Sequence, residues 1–192
     1  MTLSQNAQGI TSGDTLRGHC HLTPRRYTLA HPFPTGTHAM WLNYWLAAHE
    51  IDPLADVETI TVPPPQMVTS MRQCKMDGAC VGEPWNALSI AEGVGFTAAN
   101  SQDVWPDHPE KALGTTLEFV ERHPNTARAL IMAVLEASRY CDAERNRAKI
   151  AEVIAYPAYV GAPLGTIAAR LMGEYDNGIG RRWRCPFHAF PP

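Results

Sequence analysis

The pattern of apolar and polar positions along residues 26–122 switches repeatedly between a period of two and a period of about 3.6. Residues 57–62 carry β-branched side chains at nearly every second position, as in a half-buried strand. Within residues 37–50, Met40, Trp41 and Tyr44 begin an apolar stripe with helical spacing. The pattern predicts strands at 26–31, 57–62, 79–81 and 95–99, a further candidate strand at 112–116, and helices at 37–50, 65–76, 83–92 and 117–122.

Strands that alternate with helices at this spacing favour βαβ units and a parallel sheet. The following stretch, from Pro124 to about Gly173, is predicted to be nearly all helical, with breaks near Cys141 and over 156–163. It has no strands to cover, so we expect it to pack on the flank of the sheet or in a neighbouring domain. Residues 177–192 are rich in Gly, Arg and Pro and carry aromatic side chains with no evident burial partner.

Composition narrows the class of protein. The 192 residues are 45% hydrophobic and 18% charged, which is enough for one sizeable core or for one domain and part of another. The net charge of −3 and the lack of a basic stripe argue against a nucleic-acid partner. The five cysteines are widely spaced without a C-x-x-C, so neither a disulfide framework nor a structural zinc site is expected.

The sequence also lacks the usual targeting and membrane signals. Residues 1–18 have no apolar core of a secretory signal, and no run of apolar residues is long enough to predict a membrane span.

Three strand-to-helix junctions contain the candidate chemistry: residues 33–38, 63–66 and 81–85. In a parallel sheet all three lie at the carboxyl edge of the strands, where open α/β folds bind ligands. Each places a helix N-terminus there, whose N–H groups and positive dipole end suit an anion. Gly36 and Gly82 allow close approach to the backbone, and Thr37 is a candidate helix N-cap.

Each of these features also has an ordinary structural interpretation. Thr-Gly-Thr before a helix is commonly only a turn and a cap, His38 on a first helical turn is commonly a surface residue, and Lys111 is by default solvated. The sequence contains no G-x-S-x-G, H-E-x-x-H, phosphate-binding loop or dinucleotide-binding glycine motif. From the residues alone, the hypothesis is a parallel α/β domain with a small-anion site.

Long stretches of the chain resemble the substrate-binding proteins of bacterial nitrate and bicarbonate ABC transporters. They include FPTGTHAMWLNYWLAAHEIDPL, VPPPQMV, MDGACVGEPWNALSIAEGVGFTA, WPDHPEKALGTTLEFVERHPNTARALIMAVLEASR and YDNGIGRRW. The resemblance implies a type II periplasmic-binding-protein fold, here its second α/β domain plus helices returning to the first. It implies four segments: a crossover strand and linker at 1–25, an α/β ligand-binding domain at 26–122, a helical segment at 123–176 and a tail at 177–192. The chain is then expected to be a fragment of a longer protein.

The resemblance also implies a set of oxyanion contacts, namely Gln8, His38, Pro64, Val81, Gly82 and Lys111. Lys111 decides the expected ligand. Nitrate only accepts hydrogen bonds, so it requires donors and positive charge. Bicarbonate-binding relatives place a carboxylate and a calcium ion at this position, so a lysine favours nitrate, with nitrite as a close competitor. Neither a metal nor a cofactor is expected here.

The leading interpretation is therefore a solute-binding protein, not an enzyme, that captures nitrate or nitrite for an ABC permease and ATPase in the inner membrane. That interpretation implies a location in the periplasm or on the outer face of the inner membrane. One alternative is a cytoplasmic nitrate sensor of the same family that controls a regulatory partner. A further alternative is a bicarbonate-binding protein.

Overall fold

The computed structural model describes residues 1–7, 9–106, 108 and 111–184. One five-stranded sheet organises the first half of the chain, with strand order β3-β2-β4-β1-β5. Its strands are β1 (Thr2–Ser4), β2 (Tyr27–His31), β3 (Val57–Thr61), β4 (Gly78–Ala79) and β5 (Gly95–Thr97). The helices between them are α1 (Gly13–Leu22), α2 (Thr37–Ala48), α3 (Met67–Arg72) and α4 (Trp85–Ala91).

The prediction of a parallel sheet is correct for the strands that flank β2 and wrong for the sheet as a whole. Strand β2 runs parallel to β3 and β4, with Leu29 opposite Gly78. Strand β1 runs antiparallel to both β4 and β5, so the sheet is mixed. The sequence pattern could not show this, because β1 comes from the start of the chain and inserts between two strands that lie far from it in sequence.

Both faces of the sheet are covered. On one face, Leu29, Leu3 and Phe96 form a core with Leu42 and Leu46 of α2. On the opposite face, α3 contributes Met67 and Met71, which pack with Ala30 and Ala79. The strands predicted at 26–31 and 57–62 are thus confirmed as β2 and β3, and the helix predicted from Thr37 is confirmed as α2; all three are parts of a two-sided α/β layer.

Helix α1 was not predicted, because residues 1–25 were interpreted as a crossover strand and linker. Its first turn is capped reciprocally: the Ser12 hydroxyl accepts from the Thr15 N–H at 3.3 Å and the Thr15 hydroxyl accepts from the Ser12 N–H at 2.9 Å. The usual third-position signal is Glu or Gln, so threonine there made the cap hard to recognise. Leu16 anchors the helix in the core.

Two other sequence predictions need correction. Residues 112–116 form neither strand nor helix. The helix expected over 65–76 is a short 3-10 turn, Pro64–Gln66, followed by α3, which ends before Cys74 enters the left-handed region at φ 55°.

The remaining helices are α5 (Ser101–Val104), α6 (Leu117–Arg122), α7 (Pro124–Asp142), α8 (Glu144–Ile154) and α9 (Leu164–Leu171). Helices α7, α8 and α9 confirm the predicted helical stretch and both of its breaks.

A hairpin of β6 (Glu174–Asp176) and β7 (Arg182–Arg184) follows. Trp183, expected to lack a burial partner, stacks on Tyr175 with ring centroids 5.5 Å apart. In the described part of the chain, no helix is long and apolar enough to cross a membrane.

Gly78 is the tightest point of the central sheet. A β-carbon there would lie 2.8 Å from Leu3 Cδ2, 2.9 Å from the Thr2 carbonyl oxygen and 3.0 Å from Leu29 Cδ2. We expect Gly78→Ala to lower the free energy of unfolding by about 1–3 kcal/mol, because overpacking pushes β1 and β2 apart. Urea unfolding measures this change. Gly18→Ala is the matched control. Gly18 lies in α1 with open space around it, so this substitution should raise the free energy of unfolding by about 0.5–1 kcal/mol. Equal effects at the two positions would contradict the close packing.

Helix α7 presents an apolar stripe to solvent. Leu130, Ile131, Val134 and Leu135 lie on one side of the helix and are 44–53% exposed. Exposed stripes of this kind normally belong to an interface. We expect the isolated chain to self-associate through it, and the double substitution Ile131→Lys with Leu135→Lys to shift the chain toward monomer in light scattering. Glu136→Lys, on the other side of the same helix, changes the charge by the same amount and should leave association unchanged. A monomeric unsubstituted chain would refute the prediction.

Candidate functional site

The carboxyl ends of β2 and β4 form the floor of the candidate site. The two strands are parallel neighbours, with Ala30 opposite Ala79 as their last registered pair, so the residues that follow both strands emerge side by side. After β2 the chain turns over 33–36 and enters α2, and after β4 it passes through Val81 and Gly82 toward α4. Parallel pairing therefore brings together two junctions that lie more than forty residues apart in sequence.

His38 and Gly82 meet at this edge. A β-carbon on Gly82 would lie 3.3 Å from His38 Nε2, so the absence of a side chain is what lets the imidazole approach the backbone. His38 lies in the first turn of α2, whose N-cap is Gly36, a residue with no side chain to offer. The expectation that Thr37 caps this helix is wrong, because Thr37 is itself the first helical residue.

A cavity of about 210 Å³ opens above these residues. Three of the expected ligand contacts, His38, Val81 and Gly82, line it, together with His108 and two tryptophans of α2, Trp41 and Trp45. Polar groups on its other wall come from Asn86, Thr97, Asn100 and Ser101. The pocket therefore combines two imidazoles and hydroxyl and amide groups with an aromatic wall, a composition suited to a small polar anion.

Trp41 holds His108 at the pocket. The two rings meet edge to face with centroids 4.5 Å apart, and Trp105 contacts the same indole at 5.7 Å. Sequence analysis did not select His108, since a single histidine in a loop carries no periodic signal. Its position three residues before Lys111 was the available hint.

The other expected site residues have different outcomes. Lys111 is exposed and is not among the residues that line the cavity. Pro64 opens the 3-10 turn after β3, one strand further along the same sheet edge, and is half-buried outside the cavity lining. Gln8 lies outside the described residues. The structure thus brings together three of the six expected contacts, and the roles of all six stay predictions.

Burial favours the uncharged form of two titratable side chains at the carboxyl ends of β2 and β4, His31 and Cys80. His31 ends β2, and burial lowers the pKa of its imidazole below the usual value, which favours the uncharged form. Its Nδ1 is buried and has no hydrogen-bond partner within the described part of the chain. Cys80, which lines the pocket, has a thiol pKa raised by burial, so it too is uncharged. The floor therefore adds no negative charge to the site.

Glu83 is the one carboxylate among the pocket-lining residues that the structure describes, and its oxygens are already engaged. Oε1 accepts from Arg170 Nε at 2.9 Å and from Asn86 Nδ2 at 3.2 Å, and Oε2 accepts from the Ala87 N–H at 3.0 Å. The last bond caps the start of α4. Asn86 continues the network: its Oδ1 accepts from Thr2 Oγ1 at 2.9 Å and its Nδ2 donates to Thr97 Oγ1 at 2.9 Å.

The NMT1-like family matches residues 1–155. The chain belongs to the NMT1-like family. Among its relatives, the nitrate/nitrite binding protein NrtA of Nostoc is 42% identical over 150 residues, which are 78% of this chain and 34% of the relative. The chain therefore spans about a third of the length of that relative.

Two further relatives are named as ATP-binding proteins of nitrate import and of bicarbonate transport. The nitrate import ATP-binding protein NrtC of Synechocystis is 40% identical over 171 residues, covering 88% of this chain and 26% of that protein. The bicarbonate transport ATP-binding protein CmpC of Synechocystis is 41% identical over 142 residues, covering 74% of this chain and 21% of that protein. Nitrate and bicarbonate relatives thus match this NMT1-like chain with similar identity.

A solved structure supports the fold. The periplasmic nitrate-binding protein NrtA from Synechocystis superposes with a TM-score of 0.85 at 35% identity, covering 96% of this chain and 49% of NrtA. The mixed α/β sheet of this NMT1-like chain is therefore structurally similar to the sheet of a periplasmic binding protein, and the similarity covers about half of the NrtA chain.

Asn86 links β1, β5 and α4, so its side chain should matter for stability. We expect Asn86→Ala to lower the free energy of unfolding by about 2–3 kcal/mol, because it leaves the partly buried Thr2 and Thr97 hydroxyls without their partner. Asn146→Ala removes a single exposed hydrogen bond to the Tyr140 carbonyl and should cost about 1 kcal/mol or less. Chemical denaturation of both variants measures the difference. Equal losses of unfolding free energy in the two variants would show that the Asn86 hydrogen bonds stabilise the fold no more than one exposed hydrogen bond does.

Proposed function

We propose that this chain is the anion-binding lobe of a solute-binding protein that captures nitrate, or nitrite, for an ABC importer. The observation that carries the proposal is the meeting of His38 with the bare backbone of Gly82 at the shared edge of β2 and β4. A small planar anion placed there meets imidazole and backbone donors at the start of a helix, which is the environment that oxyanions require. The 210 Å³ cavity has room for such an anion.

Bicarbonate is the second candidate, because a bicarbonate transport subunit is among the relatives. Bicarbonate carries an O–H that must be accepted, whereas nitrate only accepts. Both oxygens of Glu83 already accept hydrogen bonds from the protein, and the buried His31 and Cys80 offer no negative charge. These observations favour nitrate over bicarbonate.

The rest of the domain organisation follows as part of the proposal. A companion lobe, corresponding to the relatives' remaining length, closes over the pocket and contacts the helical segment at 123–176. Lys111, on the exposed segment beside His108, and Pro64, one strand away, contribute to the ligand when the cleft is closed. The site then faces the periplasm. A cytoplasmic nitrate sensor has the same pocket and differs in its partner.

The proposal is tested with a chimera in which this chain replaces the matching half of Synechocystis NrtA. Isothermal titration with nitrate, nitrite and bicarbonate ranks the three anions. We expect nitrate or nitrite to bind most tightly and bicarbonate more weakly. The isolated chain should bind weakly, since one lobe replaces only part of an anion's hydration. A chimera that folds and binds bicarbonate most tightly would contradict the choice of ligand.

Lys111→Glu in that chimera should weaken nitrate binding by about ten- to a hundredfold, because it removes a charge-assisted hydrogen bond and adds repulsion. Lys75→Glu is the matched control: Lys75 is exposed just before β4, at the edge of the sheet away from the pocket, and should change affinity little. Titration calorimetry measures both. Unchanged affinity in Lys111→Glu would mean that Lys111 is a surface lysine.

A further inference from the structure

Arg170 of α9 lies behind the anion pocket and does not line it. Its guanidinium reaches Glu83 with Nε 2.9 Å from Oε1, and its side chain is only 9% exposed. The other nitrogens donate to the carbonyl oxygens of Glu174 at 3.0 Å and Asp176 at 3.3 Å. The group also lies 4.9 Å over the Tyr175 ring. The guanidinium is therefore held by several contacts, and Glu83 is the carboxylate with which it forms an ion pair among the described residues.

The position of Glu83 creates an electrostatic conflict for an anion site. A carboxylate at the pocket wall repels any anion that enters, and the repulsion grows as water is excluded. Yet the structure needs the group, because Glu83 caps the start of α4 through the Ala87 N–H and orients Asn86. The amino group of Met1, which lines the cavity, interacts with this carboxylate, and Arg170 pairs with it from outside the cavity, where no ligand atom in the pocket competes for the guanidinium.

We infer that Arg170 promotes anion binding in the pocket from behind, as a positioning residue that cancels the charge of Glu83 and holds that carboxylate away from the ligand. This inference rests on the proposed function for its physiological anion. It adds a residue more than eighty positions from Glu83 in sequence to the determinants of the site. It also couples the helical segment to the pocket, because α9 and the β6–β7 hairpin hold the guanidinium in place.

A purely structural role is the competing explanation. Arg170 also ties the hairpin to α9, and its loss alone could loosen the lobe. The two explanations differ in what happens when Glu83 is neutralised as well. The double substitution Glu83→Gln with Arg170→Gln loses the same hairpin bonds as Arg170→Gln, but it leaves no uncompensated charge.

The first measurement is nitrate affinity of the NrtA chimera by calorimetry. We expect Arg170→Gln to bind roughly three- to tenfold more weakly, as one unpaired charge several ångströms away would cause at intermediate dielectric. The double variant should recover most of that loss. Arg182→Gln is the matched control, since Arg182 lies on the same hairpin and pairs with Asp176, not with Glu83. A double variant as weak as Arg170→Gln would overturn the inference.

The second measurement needs no physiological ligand and uses the chain itself. Iodide and acrylamide are an anionic and a neutral quencher of tryptophan. The measurement uses a background in which Trp85, Trp105 and Trp183 are replaced by Phe, so that the signal comes from Trp41 and Trp45, which line the pocket. Arg170→Gln should lower iodide quenching relative to acrylamide quenching, and the double variant should restore the ratio. If the ratio responds in this way but the chimera does not bind nitrate, the proposed function is wrong and the electrostatic role of Arg170 stands. If the ratio is the same in all variants, the inference is wrong whichever anion binds.

Discussion

The carboxylate of Glu83 is the point on which the described structure depends. It caps α4, fixes Asn86 and receives Arg170, and through Asn86 it reaches Thr2 of β1 and Thr97 of β5. A single carboxylate, whose side chain remains 35% exposed, thus joins the sheet, the helix after β4 and the distant helical segment. Both of its oxygens accept hydrogen bonds from the protein, which fixes the orientation of the group.

The mixed sheet explains why the pocket lies where it does. Parallel pairing of β2 with β4 places two strand-to-helix junctions at one edge, and β1, running the opposite way, brings Thr2 beside Asn86 beneath the same wall. Gly78 and Gly95 accept this insertion because neither carries a side chain that would collide with β1. Close backbone packing in the sheet is therefore a condition for the geometry of the site.

Membership of the NMT1-like family and the superposition on periplasmic NrtA define the architecture, and about half of that NrtA chain has no counterpart here. The exposed apolar stripe of α7 agrees with a lobe that normally packs against more protein. The mixture of nitrate and bicarbonate relatives means that overall similarity does not choose the anion. The choice of anion depends on the charges around the pocket. For this question, the hydrogen bonds that Glu83 accepts from the protein are more informative than percentage identity.

The sequence by itself determined the elements whose signals are local. The β-branched alternation of β3, the apolar stripe of α2 and the breaks in the helical stretch were all predictable, because periodicity and turn residues act over a few positions. It also pointed to His38, Val81 and Gly82, since parallel strands send their carboxyl ends to one edge. Helix α1 was missed because its cap uses threonine in place of an acidic or amide residue.

Only the tertiary structure decided which distant groups meet. The antiparallel insertion of β1, the contact of His108 with Trp41 and the pairing of Arg170 with Glu83 join residues separated by tens of positions, and no periodicity records such pairs. Local preference fixes the conformation of a segment. The choice of partners depends on burial and on the need to satisfy every buried charge and hydrogen-bonding group at once, which is a property of the whole packed chain.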